Sequence, residues 1–294
     1  MKVAVLGANG QLGMDVARAF TDAGDEVFPL CHRDLEVADQ DSLGQRLSAI
    51  QPELVVNTTA MHHVERCELD AQQAFAVNAI GPRNLALAAR NLGAVLMHVS
   101  TDYVFDGSQD RPYEEGDLPR PLNVYGNTKL AGEYFVRSTV SKHFVLRTSA
   151  LYGQHPCRAK GGLNFVQLML KLAMERGEVR VVNDEFVTPT STMELARQMV
   201  ALSRSGTYGM YHATAEGSCS WYDFAQEIFA LTGTRVNLKS AGVNEFPGKV
   251  PRPGYSVLEN TGLKRVGLNL FQSWQNGLRE YLGVAQLLEA PAAK

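Results

Sequence analysis

The chain has 294 residues, of which 45% are hydrophobic and 20% charged, and its formal net charge is -3. These values are ordinary for a globular protein of one large or two modest domains, and the charge excludes bulk attraction to nucleic acid or an anionic membrane surface. No apolar run approaches the ~20 residues of a membrane span, and the scattered cysteines predict neither a disulfide framework nor a zinc site. Because Met1 leads straight into a predicted strand without a secretion signal, we expect a cytoplasmic protein.

The first predicted elements form a strand, a tight turn and a helix. Residues 3–6 are a short β-branched run that predicts a buried strand, and Gly7, Gly10 and Gly13 follow it directly. Apolar residues then recur with helical spacing. In this context three glycines at a spacing of three are typical of dinucleotide binding, because they permit the turn, the approach of a pyrophosphate and close packing of helix on strand.

Strand-like and helix-like segments alternate through the first half of the chain. Further strands are predicted at residues 26–30, 54–57, 94–99 and 144–147. Helices are predicted at residues 42–50, 71–92 and 122–138. Such alternation predicts an α/β fold with a Rossmann-like, doubly wound parallel sheet, whose ligands bind at the carboxyl ends of the strands.

The second half has a different texture. Helices are predicted at 163–174, 193–202 and 221–231, with a short strand at 179–182. Residues 246–255 are rich in proline and glycine and predict a loop that closes over a ligand. We therefore predict a dinucleotide-binding Rossmann domain at 1–150 and a smaller α+β substrate-binding lobe at 151–294, with some elements interleaved with the first domain.

Tyr125 and Lys129 carry the strongest chemical signal. They are four positions apart on the helix predicted at 122–138, so their side chains share a face about one turn apart. An unperturbed tyrosine titrates near ~10, and a neighbouring ammonium would favour the phenolate and lower that pKa. A phenol tuned in this way can exchange a proton with a carbonyl or alcohol oxygen. The same spacing also arises by chance on solvated helix faces, so the pair alone is a weak signal.

Several motifs together resemble the extended short-chain dehydrogenase/reductase superfamily and, within it, the dTDP-4-dehydrorhamnose reductase family. They lie at residues 10–13 (GQLG), 77–79 (VNA), 100–105 (STDYVF), 121–126 (PLNVYG), 129–133 (KLAGE), 147–149 (RTS), 188–190 (TPT) and 252–258 (RPGYSVL). The resemblance implies a catalytic triad of Thr101, Tyr125 and Lys129. It also implies NAD(P)H-dependent reduction of a 4-keto sugar linked to a nucleotide, with Tyr125 protonating the new alkoxide and Thr101 hydrogen-bonding the ketone oxygen.

The cofactor-binding residues follow from the fingerprint, the two strand ends after it and the resemblance. We predict them to be Gly7, Asn9, Gly10, Gln11, Leu12, Gly13, Arg33, Glu36, Val37, Thr59, Ala60, Met61, Asn78, Val99, Tyr125 and Lys129. The chain lacks an acidic residue directly after the second strand, where NAD-specific enzymes bind the ribose 2′-hydroxyl. Arg33 or His32 could instead face a 2′-phosphate. We therefore favour NADPH over NADH.

The substrate side rests mainly on the resemblance. It implies contacts from Thr101, Asp102, Tyr103, Ala150, Asn164, Arg252 and Tyr255. Ala150 departs from the tryptophan that rhamnose-type reductases often carry, so the sugar could differ. Asp102 either caps the following turn or touches the sugar, and Arg252 either lies near the diphosphate or is a solvated loop residue.

No metal site is predicted, because His62, His63 and Cys67 lack a third nearby ligand. The expected partner is a dTDP-linked sugar. Whether the protein forms a homodimer stays open. Two other functions also stay open. One is a nucleotide-sugar epimerase that retains NAD, and the other is a non-catalytic, NADP-binding regulatory subunit similar to the β subunit of methionine adenosyltransferase.

Overall fold

The structure is a computed structural model and describes residues 1–157, 161–246 and 250–288. Its strands are β1 (Lys2–Leu6), β2 (Glu26–Leu30), β3 (Leu54–Asn57), β4 (Val95–Thr101), β5 (His143–Thr148), β6 (Leu151–Tyr152), β7 (Glu178–Val182), β8 (Phe186–Val187), β9 (Thr190–Ser191), β10 (Gly209–His212), β11 (Cys219–Ser220) and β12 (Asn237–Ala241). Its α-helices are α1 (Gln11–Asp22), α2 (Gln40–Ile50), α3 (Val64–Leu69), α4 (Ala71–Phe75), α5 (Gly81–Leu92), α6 (Val124–Thr139), α7 (Phe165–Arg176), α8 (Thr192–Ser203), α9 (Trp221–Leu231), α10 (Thr261–Arg265) and α11 (Trp274–Val284).

A six-stranded sheet in the order β2-β1-β3-β4-β5-β10 forms the centre of the molecule. Every neighbouring pair in it is parallel. Strand β3 is buried along its whole length, as expected of a parallel strand covered by helices on both faces. The predicted Rossmann-like fold class is confirmed. Because β1 lies between β2 and β3, the chain crosses to opposite sides of β1, and the crevice at its carboxyl end is where such sheets bind ligands.

The side chains of β1 alternate between two hydrophobic cores. Val3 and Val5 pack into one core with Val16 of α1 and Leu195 of α8. Ala4 and Leu6 pack into the other, which includes residues of α2 and α5. This alternation follows from the two-residue repeat of a strand. It fixes β1, and hence the glycine turn that follows it, between two helical layers.

The second half of the chain contributes to both parts of the molecule. Strand β10 completes the sheet beside β5, and α8 covers one face of that sheet. Helices α7, α9 and α11 enclose a third core with β7. The boundary at residue 150 stays a prediction, because the sheet extends across it.

Most predicted elements lie within a few residues of the observed ones, with two kinds of difference. The helix predicted at 71–92 is interrupted by a π-helical turn at Ala76–Ile80. Strands β6 and β8–β12 and helices α3, α10 and α11 were not predicted. All of them except α11 have six residues or fewer, too few for a clear repeat. Helix α11 does have an apolar repeat, at Trp274, Leu278 and Leu282, which was overlooked. In the part of the chain that the structure describes, no helix is both long and apolar enough to cross a membrane.

Candidate active site

The glycine turn between β1 and α1 is shaped to admit a phosphate. Gly7 has a φ of 77°, which a side chain would strain. A Cβ on Gly13 would lie 2.1 Å from the carbonyl oxygen of Gly7, so only glycine allows the helix to start this close to the strand. Gly10 caps α1 without a side-chain acceptor, which leaves the helix N-terminus to an anion. These features fit the pyrophosphate of a dinucleotide cofactor.

The predicted cofactor residues that follow β2 lie in different environments. Arg33 is exposed. The Glu36 carboxylate is held locally, since it lies 3.0 Å from His32 Nδ1 and accepts a hydrogen bond from the Ala38 amide. Val37 is buried, and its carbonyl accepts a hydrogen bond from the side chain of a core asparagine, residue 84. Arg33 is therefore the member of this segment best placed to meet a 2′-phosphate.

Beyond β3, residues Thr59, Ala60 and Met61 are partly exposed at the same edge of the sheet. Asn78 is fully buried in the π-helical turn. It donates a hydrogen bond to the Met61 carbonyl at 2.9 Å and accepts one from the Met61 amide at 2.9 Å. Its side chain also donates to Thr128 on α6. These hydrogen bonds of Asn78 hold the backbone of the predicted cofactor-binding segment, residues 59–61, at Met61.

Thr101 is the last residue of β4, and Asp102 follows it at the carboxyl edge of the sheet. Thr101 donates a hydrogen bond to Asp102 Oδ1 at 2.9 Å, and its hydroxyl oxygen accepts one from the Tyr103 amide at 3.2 Å. Thr101 therefore caps the 3-10 turn at Asp102–Val104, a role that we had considered for Asp102. The Asp102 carboxylate is buried and also accepts hydrogen bonds from Ser149 and Ser256.

Helix α6 begins at this turn and aims Tyr125 at it. Asn123 caps the helix by accepting a hydrogen bond from the Gly126 amide at 2.8 Å, and its side chain donates to the Pro251 carbonyl. A Cβ on Gly126 would lie 2.2 Å from the Tyr103 carbonyl oxygen, so glycine is needed for the helix to lie against the turn. The rings of Tyr103 and Tyr125 then meet edge to face, with centroids 5.8 Å apart.

The structure corrects the expected acidity of Tyr125. Burial raises the pKa of its phenol above the usual value, the charge of Asp102 adds to this, and a hydrogen bond with Thr101 only partly opposes it. Lys129 is not among the groups that shift this pKa. The prediction that the neighbouring amine makes the phenol acidic is therefore wrong, because burial removes water from the phenol and raises its pKa.

Lys129 is buried and points to the sheet. Its Nζ donates a hydrogen bond to the carbonyl oxygen of Val99, 2.7 Å away. Burial lowers the pKa of Lys129 to about 8, although the charge of Glu133 acts in the opposite direction. The predicted cofactor residues Val99 and Lys129 are thus directly linked at the end of β4.

A buried ion pair that sequence reasoning missed anchors α6 to the sheet. Arg147 donates to both carboxylate oxygens of Glu133, at 3.0 and 2.7 Å, and Ser100 donates to one of them at 2.5 Å. The Arg147 guanidinium also lies 5.1 Å from the ring centroid of Phe105. Glu133 and Arg147 both stand inside motifs that carried the resemblance, but nothing in their spacing predicted that they pair.

The predicted substrate residues occupy different environments. Ala150 has a φ of 45°, a left-handed conformation that costs a residue other than glycine about 1–3 kcal/mol and is often found at functional sites. Arg252 pairs with Glu65 at 2.5 Å, so it is neither free nor fully solvated. Burial favours the protonated form of Glu65, but hydrogen bonds and the charge of Arg252 outweigh it and hold the pKa of that carboxyl below its usual value. Tyr255 is partly exposed beside Phe186.

Asn164, a predicted substrate contact, is engaged in hydrogen bonds within the protein. It is buried and caps α7, accepting a hydrogen bond from the Gln167 amide. Its amide nitrogen donates to the Gly153 carbonyl and the Tyr281 hydroxyl. These bonds hold two parts of the second lobe together. The closing segment predicted at 246–255 falls partly on 247–249, outside the described residues.

The side chains considered as metal ligands, those of His62, His63 and Cys67, make other contacts. His63 caps α3, and His62 Nε2 lies 3.6 Å from Cys157 Sγ. Cys67 donates to the Met61 carbonyl, and burial raises the pKa of its thiol to about 11. Across residues 1–157, 161–246 and 250–288, no three His, Cys, Asp or Glu side chains are grouped so as to hold a metal ion.

The chain is similar in sequence and in structure to several known proteins. The family model described as RmlD substrate binding domain matches residues 1–287. The chain is 40% identical to the spore coat polysaccharide biosynthesis protein SpsK of Bacillus subtilis, over 96% of each chain. It is 35% identical to the dTDP-4-keto-6-deoxy-D-glucose reductase of Streptomyces niveus, over 94% of each chain. The dTDP-4-dehydrorhamnose reductase of Bacillus anthracis, solved in complex with NADP, superposes with a TM-score of 0.92 at 35% identity, covering 96% of this chain and 99% of that one.

Proposed function

The chain belongs to the dTDP-4-dehydrorhamnose reductase family, and we propose that it reduces the 4-keto group of a nucleotide-linked sugar with hydride from NADPH or NADH. The observation that carries this proposal is the position of Tyr125 and Thr101. Both lie at the carboxyl edge of the sheet, the same edge as the glycine turn that fits a dinucleotide. A proton donor and a cofactor cradle thus face one crevice.

The chemistry divides between cofactor and protein. When bound, the nicotinamide supplies the hydride, and the protein supplies placement and proton transfer. Tyr125 gives its phenolic proton to the ketone oxygen as negative charge develops there. The phenol of Tyr125 is protonated at neutral pH, as a proton donor must be. Lys129, which lies on α6 with its Nζ at the Val99 carbonyl of β4, would hold the cofactor ribose.

The substrate is a dTDP-linked 4-keto sugar. Relatives over nearly the whole chain carry the names dTDP-4-keto-6-deoxy-D-glucose reductase and dTDP-4-dehydrorhamnose reductase. Ala150 leaves space where a tryptophan often packs on the substrate in rhamnose-type enzymes. We therefore leave the sugar open within this class and test several.

NADPH is the preferred cofactor in this proposal. The exposed Arg33 supports it, since a guanidinium suits a phosphate dianion. A relative of the same family was solved with NADP.

The four cysteines are free thiols in the structure, which supports the expected cytoplasmic setting.

The direct test is turnover by the purified full chain. NADPH or NADH is mixed with a panel of dTDP-4-keto sugars, cofactor oxidation is followed by absorbance, and the product is identified by mass spectrometry. We expect stoichiometric oxidation of cofactor and a product heavier than the sugar by two hydrogens. Tightly held oxidised NAD with no net oxidation would favour epimerisation. Cofactor binding without turnover of any sugar, together with a stable partner protein, would favour a regulatory subunit.

A further inference from the structure

Asn123, the residue before helix α6, makes side-chain hydrogen bonds with two distant parts of the chain. Its Oδ1 accepts from the Gly126 amide at 2.8 Å and so caps α6. Its Nδ2 donates to the carbonyl oxygen of Pro251 at 2.9 Å, 128 positions away in the sequence. Only 4% of Asn123 is exposed. One buried amide group therefore joins the helix that carries Tyr125 to the C-terminal half of the chain.

The two partners of Asn123 determine which end of its amide group faces each of them. A backbone N–H can only donate a hydrogen bond, and a backbone carbonyl can only accept one. The amide oxygen must therefore face Gly126, and the amide nitrogen must face Pro251. Aspartate and serine also cap helices well, but aspartate has no donor and serine ends one bond short of the amide nitrogen. Asparagine is thus the residue that serves both partners.

The segment that Asn123 holds, residues 251–256, runs along the carboxyl edge of the sheet. A Cβ on Gly107 would lie 2.7 Å from a backbone nitrogen of this segment, so the segment passes close to the stretch that follows β4. Ser256, at the other end of the segment, donates a hydrogen bond to Asp102 at 2.6 Å. Asn123 therefore holds the start of the segment, and Asp102 holds its end.

Two predicted substrate residues, Arg252 and Tyr255, belong to segment 251–256. The ion pair of Arg252 with Glu65 holds only the tip of a long side chain. The bond from Asn123 instead holds the main chain, one residue before Arg252. Tyr125 follows Asn123 by two residues. Asn123 therefore sets the distance between the proposed proton donor and the backbone that carries the two predicted substrate residues.

We propose that Asn123 is a positioning residue, which holds the predicted substrate residues of segment 251–256 at a fixed place beside Tyr125. Its amide oxygen stabilises the start of α6, and its amide nitrogen fixes the segment. The kinetic part of this proposal rests on the proposed ketoreductase function. Its structural part rests on two hydrogen bonds that can be observed without substrate.

The experiment replaces Asn123 by serine, aspartate or alanine in the full chain. Asn123→Ser and Asn123→Asp keep an acceptor for the Gly126 amide and lose the bond to Pro251. Both should raise KM for the nucleotide sugar by about 2- to 12-fold, the value of one neutral hydrogen bond, with kcat and Kd for NADPH close to wild type. Because serine is uncharged, a rise in both variants separates the lost bond from the added charge of aspartate. An unchanged KM in Asn123→Ser would overturn the proposal.

Asn123→Ala removes both hydrogen bonds. It should show the same rise in KM together with a fall in kcat and Tm, because α6 loses its cap just before Tyr125. Equal kcat and KM in all three variants would overturn the proposal, since the two bonds would then have no separate tasks. Ser273→Ala is the control, because it removes the cap of α11 in the second lobe and should lower only the Tm. A rise in KM in this control as large as in Asn123→Ser would also overturn the proposal.

Crystal structures without substrate distinguish this proposal from the proposed function. In Asn123→Ser, compared with the wild type, we expect α6 to stay in place and the backbone at Pro251 to move away from it. An unmoved segment would overturn the positioning role, even for a protein that reduces a sugar. A displaced segment in a protein that reduces none of the dTDP-4-keto sugars would support the positioning role while the ketoreductase function failed.

Discussion

The side chain of Lys129 donates to the carbonyl oxygen of Val99, 2.7 Å away, and the phenol of Tyr125 one turn earlier lies beside Thr101. The two members of the Tyr-x-x-x-Lys pair therefore have separate neighbours. The proposed function assigns Lys129 to the cofactor and Tyr125 to the substrate. Their shared helix face brings them to one site without joining them.

The affinity for NADPH should fall as the pH rises through about 8. Burial lowers the pKa of Lys129 to about 8, so its ammonium is lost as the pH rises past that value, and with it the charged donor to the ribose. The 2′-phosphate titrates near ~6 and stays constant above pH 7. Kd measured by cofactor fluorescence between pH 7 and pH 9.5, roughly the range around that pKa, tests this. Lys129→Met should bind weakly at every pH, and a wild-type curve as flat as that of the variant would contradict the assignment.

Tyr125→Phe should lower kcat by about 10²- to 10⁴-fold, because it removes the proton donor and keeps the ring. The Kd for NADPH should hardly change, since the variant keeps the aromatic ring and leaves Lys129, the residue assigned to the ribose, in place. Tyr134→Phe is the matched control: it lies on the same helix, 53% exposed, and should keep full activity. Retention of most activity by Tyr125→Phe would show that another group protonates the sugar.

Gly13→Ala should weaken NADPH binding. The new Cβ would lie 2.1 Å from the Gly7 carbonyl oxygen, so the glycine turn must open. Overpacking of this kind costs about 1–3 kcal/mol, which corresponds to roughly 5- to 150-fold in Kd if the distortion falls on the phosphate cradle. Gly44→Ala on α2 is the control, because no atom lies within 4 Å of its added Cβ. That variant should bind NADPH normally and gain up to about 1 kcal/mol in stability.

Arg33→Ala should reduce the preference for NADPH over NADH by about 10- to 100-fold, the value of a charge-assisted hydrogen bond to phosphate. The change should appear in kcat/KM for NADPH, with NADH little affected, because NADH lacks the 2′-phosphate. Arg18→Ala removes an arginine of similar exposure on α1 and should leave the ratio unaltered. An unaltered ratio in Arg33→Ala would move phosphate recognition to another residue, with His32 the next to test.

Arg147→Met should destabilise the protein by about 3–5 kcal/mol, because it leaves the buried carboxylate of Glu133 unpaired. Urea unfolding of the full chain measures this. Arg147→Met combined with Glu133→Leu should recover most of the loss, since neither charge then remains. Arg111→Ala removes an exposed arginine paired with Asp117 and should cost about 0–1 kcal/mol. A small loss in Arg147→Met would mean that water reaches Glu133.

The success of the sequence predictions varied with the range of the interaction. The glycine turn after β1 and the helix that carries Tyr125 could be predicted because a strand, a turn and a helix leave their patterns within a few consecutive residues. Strand β10 could not, since Gly209–His212 has no alternation and joins the sheet only by pairing with β5. Asn164 was assigned to the substrate from the resemblance, whereas its cap and its bond to Tyr281 depend on the packing of the second lobe.

The sequence by itself determined the α/β class, the dinucleotide fingerprint and the family, because each depends on residue types at short, fixed spacings. Only the tertiary structure decided the electrostatics of the site. The pKa of Tyr125 follows from how much water the surrounding segments remove, which no spacing encodes. Asp102 likewise accepts hydrogen bonds from Ser149 and Ser256 only because folding brings these two serines to the end of β4. Hydrogen bonds between a hydroxyl and a carboxylate that are far apart in the sequence have no sequence signature, since their partners meet only when the chain is folded.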